Sequence, residues 1–209
     1  CMKKNKSLVL VTGGAGFIGS HLADKLIASG YRVRVLDNLA PPAHNNRLPE
    51  WFNKKAEFVK GDVRNKKDLL KSIKGADYIF HLAAYMDYRL DFSTYFLANS
   101  ASTAMIYEII VENKFPVKKI IVTSSQSVYG EGKYRCPVHG VLYMPPRPES
   151  RLRKRQWEMV CQHDGKVLKP LPEKESDMLN PQIPYGVSKL AAERTALLLG
   201  KIYDIPSVA

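Results

Sequence analysis

Tyr185 and Lys189 stand four residues apart, so on a helix their side chains share one face. A phenol is a poor base at its reference pKa of about 10, and a nearby ammonium favours the phenolate. The pair therefore makes a proton acceptor able to work beside a hydride acceptor, although the same spacing also occurs on ordinary surface helices. A second signature supplies the missing context. Thr12-Gly13-Gly14-Ala15-Gly16-Phe17-Ile18-Gly19 satisfies both Gly13-x-x-Gly16-x-x-Gly19 and Gly14-x-Gly16-x-x-Gly19. Glycines at these places let the backbone turn tightly, approach a pyrophosphate and pack a helix close on a strand. The exposed amides and the helix dipole then favour the anion. Asp37 closes the next strand-like run, where a carboxylate accepts both hydroxyls of an adenosine ribose and repels a 2′-phosphate. NAD is expected over NADP. Gly61-Asp62-Val63 puts another short acid after the third strand-like run, within reach of an adenine amino group.

Two further constellations carry chemistry. The run Val122 to Gly130 (VTSSQSVYG) leaves a strand with hydroxyls that could hold a substrate oxygen as its proton departs, and Ser124, Ser125 and Ser127 are equal candidates on spacing alone. Cys136-Pro-Val-His139-Gly140 and Cys161-Gln-His163-Asp164-Gly165 read as two knuckle-like turns. Zinc asks for four N, S or O donors in a tetrahedron, and Cys136, His139 and Cys161 with Asp164, or His163 in its place, would supply them. The competing reading is two free thiols in a mobile loop.

The elements needed to position these residues are visible as an alternation. Strand-like runs at Ser7 to Thr12, Tyr31 to Leu36, Glu57 to Lys60, Asp77 to His81 and Lys118 to Thr123 alternate with helical spacing at Phe17 to Ser29, Lys66 to Ile73 and Phe92 to Asn113. Such alternation means a parallel sheet with right-handed crossovers. The expected class is α/β, a doubly wound parallel sheet with helices on both faces. Residues 131–181, Pro-rich and without a sustained period, read as an insertion between a cofactor-binding domain at 1–130 and its continuation at 182–209. That continuation is helical from Pro184 to Tyr203, and Ile205 to Ala209 opens one more strand.

Composition narrows the class. Of 209 residues 45% are hydrophobic, enough to bury a core, and no apolar run approaches the length of a membrane span or a secretory leader. Three cysteines, of which Cys1 ahead of Met2 reads as foreign, cannot build a disulfide framework, and a cytoplasmic setting is expected. Lys and Arg number 32 against 20 acids, a net charge of +12. The excess is spread along the chain apart from Arg151, Arg153, Lys154 and Arg155, which favours a solvated surface over a nucleic-acid or membrane partner.

Taken together, Thr12 to Gly19, Asp37, Asp62-Val63, His81-Leu82-Ala83-Ala84, Asn99, Ser125 to Gly130 and Tyr185-Gly-Val-Ser-Lys189 resemble the extended short-chain dehydrogenase/reductases, the NAD-dependent sugar-nucleotide epimerases and dehydratases. The resemblance spans the chain outside the insertion. It implies a Rossmann domain holding NAD against Gly13, Gly16, Phe17, Ile18, Gly19, Asp37, Asn38, Asp62, Val63, Leu82, Ala83, Ala84 and Asn99. It also implies Tyr185 as acid/base, Lys189 bonding the nicotinamide ribose and assisting the tyrosine, and Ser125 positioning the reacting hydroxyl. Dehydratases of the family carry Asp-Glu directly after the hydroxyl residue, where this chain has Gln126 and Ser127, and decarboxylases commonly carry Glu at the position of Ser127. The implied reaction is C4 epimerisation of a nucleoside-diphosphate sugar through a 4-keto intermediate. The alternatives are a dehydratase or reductase of the same family, or a non-catalytic NAD-sensing module. The insert is similar to that of dTDP-L-rhamnose 4-epimerase-like members, whose second knuckle usually has Cys where Asp164 stands. The resemblance further implies a homodimer formed through the helices at Phe92 to Asn113 and at Tyr185, and a C-terminal substrate domain that this chain lacks.

Overall fold

The computed structural model describes residues 6–209, so Cys1 lies outside the described residues. The chain forms two compact units, residues 6–124 with 191–209, and residues 125–190.

The first unit opens with β1 (Leu8–Thr12), α1 (Phe17–Ala28), β2 (Arg32–Asp37), β3 (Glu57–Lys60), α2 (Lys66–Ile73) and β4 (Tyr78–His81). A short α3 (Phe92–Tyr95) leads through a π-helical segment, Phe96–Ala101, into α4 (Ser102–Asn113), and β5 (Lys119–Val122) follows. The second unit contributes a 3-10 turn at Gln126–Tyr129, then β6 (Lys133–Cys136), β7 (Gly140–Tyr143), α5 (Glu149–Arg153) and β8 (Lys169–Pro170). Helix α6 (Pro184–Ile202) begins in the second unit and continues into the first, which β9 (Ser207–Val208) completes.

The large sheet runs β3-β2-β1-β4-β5-β9, all neighbours parallel, with Thr12 paired to Leu36 on one side and His81 on the other. The order reverses at β1 and β4, so the carboxyl ends of these strands flank the topological switch point where such sheets bind ligands. Alternation fills both faces. Leu10, Leu36, Val59, Ile79, Ile120 and Val122 pack with Leu69, Ile73, Ile106, Ile109 and Ala196 from the helices on one side. Val9, Val11, Val33 and Val35 pack with Ala23, Leu22 and Leu26 on the other. Each fully buried Leu or Ile contributes about 1.5–3 kcal/mol, which makes this two-sided burial the dominant cohesive term. Sheet and helices on both faces agree with the expected doubly wound fold.

Two sequence expectations change in detail. The helix expected from Phe92 to Asn113 is interrupted by the π segment, where the Ser102 and Thr103 hydroxyls bond back to the Ala98 and Asn99 carbonyls at 2.6 and 2.7 Å. Hydroxyls that take helical carbonyls compete with the regular ladder. The aperiodic stretch after Gly130 contains an antiparallel sheet, β7-β6-β8, over a small cluster of Cys136, Met144, Met159, Cys161 and Leu168. No helix among the described residues is long and apolar enough to cross a membrane.

Candidate active site

In the first unit the glycine-rich segment links β1 to α1 at the carboxyl edge of the sheet. Gly13 sits at φ +66°, and a Cβ there would lie 2.8 Å from the backbone of Ala83, so the residue type is fixed by both conformation and space. No side chain caps the N-terminus of α1, and its first turn carries no acid. Phe17 and Ile18 are exposed on this turn. An uncapped helix start approached by glycine backbone suits a phosphate, so the segment fits the pyrophosphate expected there.

Asp37 ends β2 buried, with Oδ2 accepting from Ala15 N–H at 3.1 Å and Oδ1 from Leu39 N–H at 2.9 Å. The carboxylate is thereby locked under the glycine segment with lone pairs to spare for hydroxyl donors. Asp62 lies nearby. It accepts from Asn38 Nδ2 at 3.0 Å and from the Arg64 guanidinium at 2.7 Å. Burial opposes its ionisation, but Arg64, through side chain and backbone N–H, together with Asn38, overrides that and holds the carboxyl at about 2. Val63 is buried in the core beside it.

The Leu82 to Ala84 segment leaves β4 over a polar relay that sequence reasoning missed. Ser102 gives its hydroxyl proton to the Ala98 carbonyl, so it accepts from His81 Nε2–H across 3.0 Å. Nδ1 of His81 then accepts from the Thr12 hydroxyl at 2.8 Å, and the Thr12 oxygen receives Ala83 N–H at 3.1 Å. The signal was the pairing of Thr12 with His81 at the ends of adjacent strands, which only the register reveals. Asn99 is buried and clamps Tyr85, accepting its N–H at 2.7 Å and donating to its carbonyl at 3.1 Å. It thus fixes the exit of that segment. At the end of β5 the Ser124 hydroxyl is buried with no hydrogen-bond partner among the described residues, the kind of orphan a bound ligand would satisfy.

The second unit holds Ser125, Tyr185 and Lys189, the residues expected to manage the proton. Ser125, extended, caps the 3-10 turn by accepting from Ser127 N–H at 3.1 Å. Asn180 N–H donates to the Val128 carbonyl at 2.9 Å, drawing the approach to α6 against this turn. Gly186 completes the arrangement. A Cβ on it would lie 2.7 Å from the Ser127 carbonyl oxygen, so only glycine lets the first turn of α6 meet the serine segment this closely. Tyr185 is half-buried beside it, with its carbonyl accepting from Ser188 Oγ at 2.7 Å. One turn on, Lys189 is 3% exposed, and burial pulls its ammonium down from 10.5 to about 8. Gly186 escaped the sequence reading because nothing in the sequence shows what its missing side chain would strike.

The same unit gathers Cys136, His139, Cys161 and Asp164, whose donor atoms all lie within 4.8 Å of one another. His163 stands outside that group, with its ring tilted against His139 at a centroid separation of 4.9 Å.

The model of the NAD dependent epimerase/dehydratase family matches residues 9–163. A dTDP-L-rhamnose 4-epimerase of Burkholderia thailandensis is 34% identical over 88% of this chain and 51% of its own length. A putative UDP-glucose 4-epimerase of Methanocaldococcus jannaschii is 34% identical over 95% of this chain and 52% of its own. Among solved structures, the UDP-glucuronic acid 4-epimerase of Bacillus cereus in complex with UDP-glucuronic acid and NAD superposes with a TM-score of 0.69. It is 28% identical, over 96% of this chain and 55% of that one. The chain therefore spans about half the length of the relatives it matches.

Proposed function

This chain belongs to the NAD-dependent epimerase/dehydratase family, and from that premise we propose that it holds NAD and inverts carbon 4 of a nucleoside-diphosphate sugar. Gly13, Gly16, Phe17, Ile18 and Gly19 take the pyrophosphate, Asp37 with Asn38 takes the adenosine ribose, and Asp62 with Val63 flanks the adenine. Leu82, Ala83, Ala84 and Asn99 line the nicotinamide end, where Lys189 bonds the ribose. When bound, NAD supplies a reversible hydride acceptor.

The remaining chemistry is proton management by the chain. Ser125 holds the sugar 4-hydroxyl while the Tyr185 phenolate takes its proton, and the Lys189 ammonium stabilises that phenolate before the proton is taken and again after it is returned. After the 4-keto sugar has turned over, Tyr185 returns the proton to the new alcohol. The observation that carries this reading is Lys189, a buried amine one helical turn from Tyr185 whose charge burial makes costly. A purely structural helix has no use for that cost. Gln126 and Ser127 carry an amide and a hydroxyl, so neither offers the acid and base that elimination of water from the sugar requires.

The test is incubation of the protein and NAD with UDP- and dTDP-hexoses, followed by NMR for the C4 epimer. Tyr185→Phe is expected to lower turnover by about 10²–10⁴ with the fold intact. Undiminished turnover in that variant overturns the mechanism.

A further inference from the structure

The second unit carries a donor cluster that this reaction does not use. Each half sits at the tip of an antiparallel hairpin. Cys136 pairs with Gly140 where β6 turns into β7. Cys161 lies in a hairpin closed by the Val160–Val167 bridge, with Cys161 N–H donating to the Lys166 carbonyl at 2.8 Å and Leu168 N–H to the Met159 carbonyl at 2.8 Å. Both turns run Cys-x-x-donor-Gly, and the closing glycines share the left-handed conformation at φ +77° and +70°. Within each turn the backbone amides converge on the sulfur: those of Val138 and His139 on Cys136, those of His163 and Asp164 on Cys161.

The donor distances make the case sharper. Zinc bonds of about 2.3 Å to sulfur and 2.0–2.1 Å to nitrogen or oxygen imply tetrahedral edges of about 3.4–3.8 Å. His139 Nδ1 stands 3.3 Å from Cys136 Sγ, 3.4 Å from Cys161 Sγ and 3.8 Å from Asp164 Oδ2. The three edges from His139 are therefore close to tetrahedral lengths, and the other donor pairs lie within 4.8 Å. The unit also needs a tie, because its buried apolar cluster holds five residues and two of them are these cysteines.

We propose that Cys136, His139, Cys161 and Asp164 form a closed structural zinc site that ties the tips of the two hairpins together. Two sulfurs, one imidazole and one carboxylate match a borderline-soft cation that accepts tetrahedral geometry. Four protein donors leave no open position, so the metal has a structural and not a catalytic role. The reading stands apart from the epimerase proposal, since none of its ligands belongs to the proton-transfer set.

The full chain, purified with zinc in the growth medium and without chelator, is assayed for metal by mass spectrometry. About one zinc per chain is expected for a single four-donor site, and Cys136→Ser and Cys161→Ser are expected to lose it. Cobalt exchanged into the unmutated protein, which needs no variant to fold, is expected to give the intense visible bands of tetrahedral Co²⁺ with thiolate charge transfer. Asp164→Ala is expected to weaken metal binding at least about tenfold, while Asp164→Cys keeps the metal and raises the charge-transfer intensity by about half, three sulfurs replacing two. Metal content no higher than in the double cysteine-to-serine variant, octahedral cobalt spectra, a Cys136–Cys161 disulfide in the purified chain, or unchanged affinity in Asp164→Ala would each overturn the site.

Discussion

Lys189 shows how a single residue ties stability to chemistry. In the unfolded chain its amine keeps a proton up to the ordinary 10.5, whereas in the fold it releases that proton at about 8. Between these values the unfolded state binds more protons, so this group adds stability as pH rises through the window. Below it, keeping the buried ammonium costs the fold about 3 kcal/mol. Lys189→Met is therefore expected to be more stable than the unmutated protein at neutral pH, with the difference closing by pH 10.5. Denaturant unfolding at the two pH values measures this, and a difference independent of pH would contradict it. Asp37 is held differently, buried with its two carboxylate oxygens receiving backbone amides, which fixes its position where the proposed cofactor ribose would lie.

At the scale of elements, the close approach of the start of α6 to the serine turn sets where Tyr185 and Ser125 stand. Gly186→Ala brings a Cβ to 2.7 Å from the Ser127 carbonyl oxygen, so α6 must shift away from the serine turn. Displacements of about 1 Å can cost about 10² in rate. The expected result is a loss of turnover of that order with the fold intact, read by steady-state kinetics beside circular dichroism. Much of this level was legible in the sequence. The glycine segment, β3 and α2 lie where periodicity and stop signals put them, because one face or both faces of each element are buried against the sheet. The π segment was not legible, since it depends on which carbonyls the Ser102 and Thr103 hydroxyls capture. Nor was the small sheet of the second unit. Its strands are two to four residues long and take their register from one another, with no pattern of their own.

For the whole molecule, the alternation of strands and helices foretold a doubly wound parallel sheet, because right-handed crossovers leave few topologies for such a pattern. The Thr12–His81–Ser102 relay and the contact of Gly186 with Ser127 were out of reach, since both depend on residues brought together by folding. Some basic groups are paired locally within the net charge of +12, as where Lys133 pairs with Asp177. Association is a separate matter. Phe96, Leu97, Leu198 and Ile202 are exposed apolar residues on the helical segments through which a homodimer is proposed. Sedimentation is expected to give twice the chain mass, falling to the monomer in Leu198→Glu, and a monomeric unmutated protein would remove the dimer.

The central claim is that carbon 4 is inverted by a hydride that leaves and returns, with Tyr185 moving the hydroxyl proton. Its most direct test is to supply a nucleoside-diphosphate hexose deuterated at C4, with NAD, and to follow both epimers by NMR in ordinary water. The account predicts the C4 epimer with deuterium retained at C4, and little product from Tyr185→Phe. Washing of the label into solvent, or no inversion at all, would contradict it.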